Sequence, residues 1–541
     1  MALAEIWMPS LRTVMSIGPI WGLVGTLVAI LLASLLVGRS ALVAALMTLL
    51  GAVATAGLAW RAADVTRGGA WAGFAPLGGA PMLLMDNFSV AFIFVLALFL
   101  AAVTGLGVMG LGSARPNRAL ERNGPEFFTL LVGSAVGMAL MTCTTNLLMI
   151  VLAIETASLP SYGIAGFAKD NKRSAEASLK YVVFGAVTSA LMIYGVSLLY
   201  GYYGTLDVVR IGQMIAGGAG AERTALNPLM AVALFGVVAG IGFKISAVPF
   251  HFWCPDVFEG APIEVTTWLS VASKAAGLGL FLRVMTALVQ PHDTPWEALG
   301  PLSNGVGLMA AITCTVGNLA AFWQTNVKRM LAYSSIAHAG YMLMAGAILW
   351  RSTGETSVHP AFGALLTYIV VYLLMNLGAF SSVAMVLWAT GQETMEAYRG
   401  LGRRAPLVAL SLAACLFSLV GLPPMAGFWA KFYLLAALAQ NGLMWLVIVA
   451  AINTLISLYY YARLAWVMYF VDDGQPAIET PGVGRALVVS VALVLAVVML
   501  PAAGGLTTQA GHFARRIYPA SAANEVAERP AAGVAAAASG R

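Results

Sequence analysis

The chain is 541 residues long, 60% hydrophobic and only 10% charged. So little charge cannot cover the surface of a water-soluble protein of this length, which excludes a soluble enzyme or binding module. The formal net charge of +6 is small and sits between hydrophobic runs, so it records membrane orientation rather than nucleic-acid binding.

The apolar runs reach about 20 residues or more, long enough to cross a hydrocarbon core ~30 Å thick. The first, from Ile17 to Val37, is too long for a signal-peptide core and has no clear cleavage site, so it reads as a retained first helix. About fourteen spans are expected. Their centres fall near Ala29, Gly51, Ala97, Ala135, Leu152, Thr188, Val237, Ala275, Thr313, Ala339, Leu373, Leu419, Ile456 and Ala492. The tail beyond Gly511, with Pro530 and an Ala/Gly-rich run, reads as mobile.

An even number of spans puts both termini on one side. Arg115, Arg118 and Arg122, Lys169, Lys172 and Arg173, Lys328 and Arg329, and Arg399, Arg403 and Arg404 gather in alternate loops. The opposite loops are poorer, with Arg61, Arg67, Arg210, Arg223 and Arg351. By the positive-inside rule the richer loops face the cytoplasm and the termini face outward.

An internal repeat is visible. Thr145-Asn146 opens a span carrying Glu155, Ser158 and Tyr162, and Thr325-Asn326 opens another carrying Ser335, His338 and Tyr341. Each half then holds an apolar run interrupted by proline: Phe243–Trp253, around Pro249, and Gly421–Lys431, around Pro423 and Pro424. Such breaks survive in a membrane only where protein or water satisfies the freed backbone groups. The two units begin five spans apart, an odd number, so they insert in opposite directions, as in many transporters. The expected fold is therefore an all-α membrane protein with two inverted five-helix repeats, each containing a broken helix. Residues 1–120 would hold helices 1–3, 121–290 the first repeat, 291–472 the second, 473–510 the last helix and 511–541 the tail.

Charges inside apolar runs are the candidate functional residues. Glu155 and Lys274 each lie near the middle of a span, where an ionisable group costs at least ~2.5 kcal/mol and normally faces a partner or a water-filled cavity. Structural ion pairing is the alternative for both. Lys244 and Lys431 adjoin the two breaks, where partial desolvation would let a lysine release and regain a proton near neutrality, unless it snorkels to the interface. Lys180 follows the polar stretch Lys169–Glu176 closely, so snorkelling and proton transfer remain equally open. His251 and His338 can relay protons or simply pack.

Other signals carry less. Cys143, Cys254, Cys314 and Cys415 are scattered, with no Cys-x-x-Cys, and read as small apolar packing residues. Neither histidine has a second one at metal-ligand spacing, so no metal is expected. Gly105-Leu106-Gly107-Val108-Met109-Gly110 fits a dinucleotide fingerprint but lies within a span with no strand before it. Gly133 with Gly137, and Gly236 with Gly240, have the spacing that lets membrane helices approach closely.

Several segments carry a family resemblance. Ala153-Ile154-Glu155-Thr156-Ala157-Ser158-Leu159-Pro160-Ser161-Tyr162 continues into Lys172-Arg173-Ser174-Ala175-Glu176-Ala177-Ser178-Leu179-Lys180-Tyr181, and Ala247-Val248-Pro249-Phe250-His251 follows. Lys328–His338 and Gly421–Phe432 complete the set. Over residues 80–470 these resemble subunit N of the antiporter-like subunits of respiratory complex I, the proton-pumping NADH–quinone oxidoreductase. The resemblance implies that Glu155 and Lys180 form a switching ion pair. Lys244, Lys274 and His338 would carry the proton along the central axis, Lys431 would exchange it with the far side, and His251 would join the hydrated path. It also implies no cofactor in this chain, with NADH, FMN, iron–sulfur clusters and quinone in partner subunits. The partners would be other membrane-arm subunits, including a neighbouring antiporter-like one, in a bacterial inner membrane. A multisubunit cation/proton antiporter shares this helix core and is the alternative. The loops around Arg61–Pro81 and the tail after Pro501 match no motif.

Overall fold

The computed structural model describes residues 11–66, 71–73, 81–115, 117–216, 228–289, 296–349 and 355–471, with Ala477 and Val491. Its principal helices are α1 (Gly18–Leu36), α2 (Ala41–Thr66), α3 (Asn87–Leu111), α4 (Gly124–Met141), α5 (Leu147–Ala165) and α6 (Lys172–Tyr203). Next come α7 (Pro228–Ile245), the short α8 (Trp253–Gly260), and α9 (Ile263–Trp268), which runs through a π-helical turn, Leu269–Ser273, into α10 (Lys274–Val289). The second half holds α11 (Trp296–Ala321), α12 (Val327–Ile348), α13 (Glu355–Thr390), α14 (Pro406–Val420), α15 (Ala426–Gln440) and α16 (Met444–Phe470). A short antiparallel pair, β1 (Trp71–Gly73) and β2 (Leu83–Met85), joins α2 to α3. It falls in the loop for which the sequence offered no reading.

Eleven described helices are long and apolar enough to cross a membrane. Thirteen of the expected centres lie inside helices. The fourteenth, near Ala492, and the tail lie outside the described residues. The α12 helix, interrupted by Ser334, Ser335, His338 and Tyr341, is too polar to count among the eleven, yet all of it but Arg329 and Tyr333 is buried. That combination marks a helix at the centre of a bundle rather than one facing lipid. Outward faces are apolar instead, with Leu35, Leu36 and Trp323 more than three-quarters exposed.

Local chemistry fixes the helix starts. Asn146 caps α5 by accepting from Leu148 N and Met149 N, Asn171 caps α6, and Asn326 caps α12 through Arg329 N. The same two asparagines reveal the repeat. Asn146 bridges to Asp207 after α6, and Asn326 bridges to Thr394 after α13, with paired backbone hydrogen bonds of 2.8–3.1 Å in both places. The Thr-Asn signal seen in sequence is thus one turn of extended chain used twice.

Close approach between helices relies on glycine. A side chain at Gly137 would run into the α5 backbone at Ala157, and one at Gly236 would meet the α6 backbone at Leu191 and Gly195. At the front of the bundle, Arg283 of α10 is bound through Nη2 to both oxygens of Asp86, the N-cap of α3, at 2.7 and 2.9 Å. Both side chains are buried, so this pair ties the start of α3 to α10.

Candidate functional site

Both proline-interrupted runs are broken helices. After α7 the chain turns at Ser246, whose φ is 63°, and resumes as α8 at Trp253. Trp253 Nε1 donates to the Phe243 carbonyl at 3.0 Å, and Val248 N donates to Thr313 Oγ1 at 3.0 Å, so neighbouring helices satisfy the freed backbone. After α14 the turn begins at Gly421, with φ 88°, a conformation natural for glycine. Here Gly427 N donates to Ser418 Oγ, and Lys431 Nζ donates to the Val420 carbonyl at 2.8 Å.

The buried bases lie along these breaks. Lys244 is in the last turn of α7 and fully buried, and Gly277 of α10 leaves room for its stem. Its Nζ meets no hydrogen-bond partner among the described residues, and Glu155 is the acid whose field reaches it. Glu155 itself accepts from Ser189 Oγ of α6. Lys274, the first α-helical residue after the π turn, donates to Ser335 Oγ and lies 3.4 Å from Cys254 Sγ. A π turn displaces the helix register and is common where a side chain must be re-aimed.

His338 lies on the same buried helix as Ser335. Its Nδ1 pairs with Tyr368 Oη at 2.9 Å, and its Nε2 is 3.5 Å from Tyr461 Oη, which also bonds Ser334. One turn on, Tyr341 places its ring under Lys431, whose Nζ is 4.4 Å from the ring centroid. From Lys274 through Ser335, Ser334, Tyr461 and His338 to Tyr341 and Lys431, polar groups follow one another across the second repeat. His251 sits within the first break, buried, with Nδ1 unbonded among the described residues. It borders the row without joining it.

Lys180 differs from its expected place. The ion pair with Glu155 is not made. Lys180 Nζ instead lies 2.8 Å from Glu176 and 2.8 Å from Asp256 of α8. Asp256 also takes 2.6 Å from Arg329 Nη1, which reaches Glu259 as well. The physical reason is the α7–α8 break, which swings an acidic short helix against α6 and offers Lys180 a closer carboxylate on a half-exposed surface. Sequence reading missed Asp256, Cys254, Tyr368 and Tyr461. The Pro255-Asp256 pair beside a broken run was the available signal for the first, and the tyrosines had none.

The fold and this row define an antiporter-like transmembrane bundle with broken helices around a buried polar axis. The family description NADH:quinone oxidoreductase/Mrp antiporter, TM, matches residues 144–457. NADH-quinone oxidoreductase subunit N from Anaeromyxobacter sp. (strain Fw109-5) is 42% identical over 426 residues, covering 74% of this chain and 78% of that protein. A chain of respiratory complex I from Thermus thermophilus superposes with a TM-score of 0.70 at 31% identity, covering 91% of this chain and 98% of that one. A chain of the Mrp complex from Dietzia sp. DQ12-45-1b reaches a TM-score of 0.77 at 18% identity, covering 94% and 98%, a likeness of fold alone. The chain belongs to the NADH-quinone oxidoreductase subunit N family and is a multi-pass membrane protein.

Proposed function

We propose that this chain is a non-redox, proton-translocating subunit of an NADH:quinone oxidoreductase. Protons move through Glu155, Lys244, Lys274, His338 and Lys431, driven by quinone reduction in partner subunits. Lys180, held by Asp256 in this arrangement, pairs with Glu155 in the other setting of the switch, and His251 borders the hydrated path. The observation that carries this reading is Lys244. A fully buried amine with no hydrogen-bond partner among the described residues, beside a helix break and within the field of one carboxylate, is arranged to exchange a proton. A structural lysine at that depth would be paired.

NADH, FMN, the iron–sulfur clusters and quinone belong to partner subunits in this reading, and no cofactor is assigned to this chain. Its neighbours are other membrane-arm subunits, one of them antiporter-like. The membrane is the bacterial inner membrane, with the basic loops cytoplasmic and both termini periplasmic. Copurification from the native membrane, with a subunit inventory and an NADH-to-quinone assay, tests the assignment. Flavin- and iron–sulfur-bearing partners with inhibitor-sensitive activity are expected. Recovery with antiporter-like proteins alone, and no redox activity, would move the assignment to a cation/proton antiporter.

A further inference from the structure

One buried acid has no place in the row described above. Glu264 lies in the first turn of α9, 1% exposed, and neither carboxyl oxygen meets a hydrogen-bond partner among the described residues. It lines a cavity of about 680 Å³ on the face of the basic loops. Gly110 of α3 makes room for it, since a β-carbon there would come within 3.0 Å of Glu264 Oε1 and 2.9 Å of the Trp388 ring. Gly107 and Gly110, two of the three glycines that imitate a nucleotide fingerprint in sequence, therefore border the Glu264 side chain.

The Asn117 side chain and the Lys328 cation are the polar groups that act on Glu264. Arg115, Arg173 and Lys328 line the cavity opposite Glu259, Glu393 and Glu396. Lys328 is already engaged, donating to Glu393 at 2.8 Å and to the Glu259 and Ala261 carbonyls at 2.9 Å. Arg115 donates to the Thr390 carbonyl. With the signs in balance before Glu264 is counted, the cavity favours a cation over an anion at its base.

Glu264 and Lys274 stand on one buried span. Ten residues separate them, with the π-helical turn Leu269–Ser273 between. Thr267 lies one turn after Glu264 in α9, and Ser270 lies inside the π turn that re-aims Lys274. Both hydroxyls are fully buried and donate to their own helix, at Ile263 O and Thr267 O, so each oxygen keeps the capacity to accept a hydrogen bond. Tyr372 Oη donates to the Ser270 carbonyl at 3.4 Å.

We propose that Glu264 is a proton-binding site that takes up protons from the basic-loop face through this cavity and passes them by way of Thr267 and Ser270 to Lys274. The carboxylate gains the proton that a cavity hydronium loses. On delivery Glu264 returns to the carboxylate, and the neutral Lys274 amine becomes ammonium. The proposal rests on the translocation reading above.

The test uses the assembled complex in native membrane vesicles, with Glu264→Gln, Glu264→Asp and Lys274→Ala measured together for NADH–quinone turnover and proton pumping across a pH series. Glu264→Gln is expected to lower both by about tenfold at alkaline pH, with the deficit shrinking as the medium supplies more protons, and Glu264→Asp to restore most of the rate. Wild-type rates for Glu264→Gln, or a deficit constant with pH, would overturn the assignment. If Lys274→Ala nonetheless abolishes pumping, the translocation reading survives without this intake site; if it pumps fully, that reading fails too. Should Glu264→Gln not assemble, dicyclohexylcarbodiimide on the wild-type complex decides by peptide mass spectrometry. Glu264 labelled more heavily at low pH supports the site, and unlabelled Glu264 overturns it.

Discussion

Lys180 Nζ lies 2.8 Å from Asp256 Oδ2, while Glu155, its implied partner, is bound to Ser189. Asp256 thereby joins α6, α8 and, through Arg329, the first turn of α12, linking the two repeats at one carboxylate. In the proposed mechanism this is one setting of a charge switch. With Lys180 drawn to Asp256, Lys244 is left as a buried amine within the field of Glu155.

Asp256→Asn frees Lys180 from α8, although Glu176 still holds it. Turnover is expected to fall about three- to tenfold, and a double-mutant cycle with Lys180→Gln should be strongly non-additive. Losses that simply multiply would show that the pair is not functionally linked. The readout is NADH–quinone turnover of the assembled complex.

Glu155→Gln removes the charge that reaches Lys244, and Glu155→Asp keeps it on a shorter stem. The first should cut coupled turnover by about tenfold, and the second by clearly less. Equal rates for the two variants would assign Glu155 a packing role. Comparing both at matched subunit content removes differences in assembly.

The sequence exposed what depends on local pattern. Spans, breaks and the buried lysines were legible, because a charge inside an apolar run is costly and a proline inside a span needs compensation. The Thr-Asn caps gave the repeat for the same local reason. Glu264 was illegible because it follows a proline-containing break, where an acid reads as a loop charge, and Asp256 offered only the Pro255-Asp256 pair, with no local hint of its partner. Only the folded chain places Asp256 against α6 and buries Glu264 against Gly110. Tyr368 and Tyr461 come from helices far apart in sequence, and no local signal assigns them to His338.

Two glycines of one Gly-x-x-x-Gly spacing should behave differently. A methyl at Gly133 meets only side chains, the nearest 3.5 Å away at Pro160 Cγ, whereas at Gly137 it collides with the α5 backbone. Gly137→Ala should therefore cost about 1–3 kcal/mol and lower the thermal midpoint of the purified complex, while Gly133→Ala leaves it unchanged. Equal midpoints for the two would contradict the packing described for α4 and α5.

The central claim is that the unpaired buried amine of Lys244 carries protons. Its most direct test is proton pumping and NADH–quinone turnover measured together in vesicles holding the assembled Lys244→Ala complex. The account predicts that both fall together, because the site can no longer bind a proton. Full pumping by an assembled Lys244→Ala complex would contradict it.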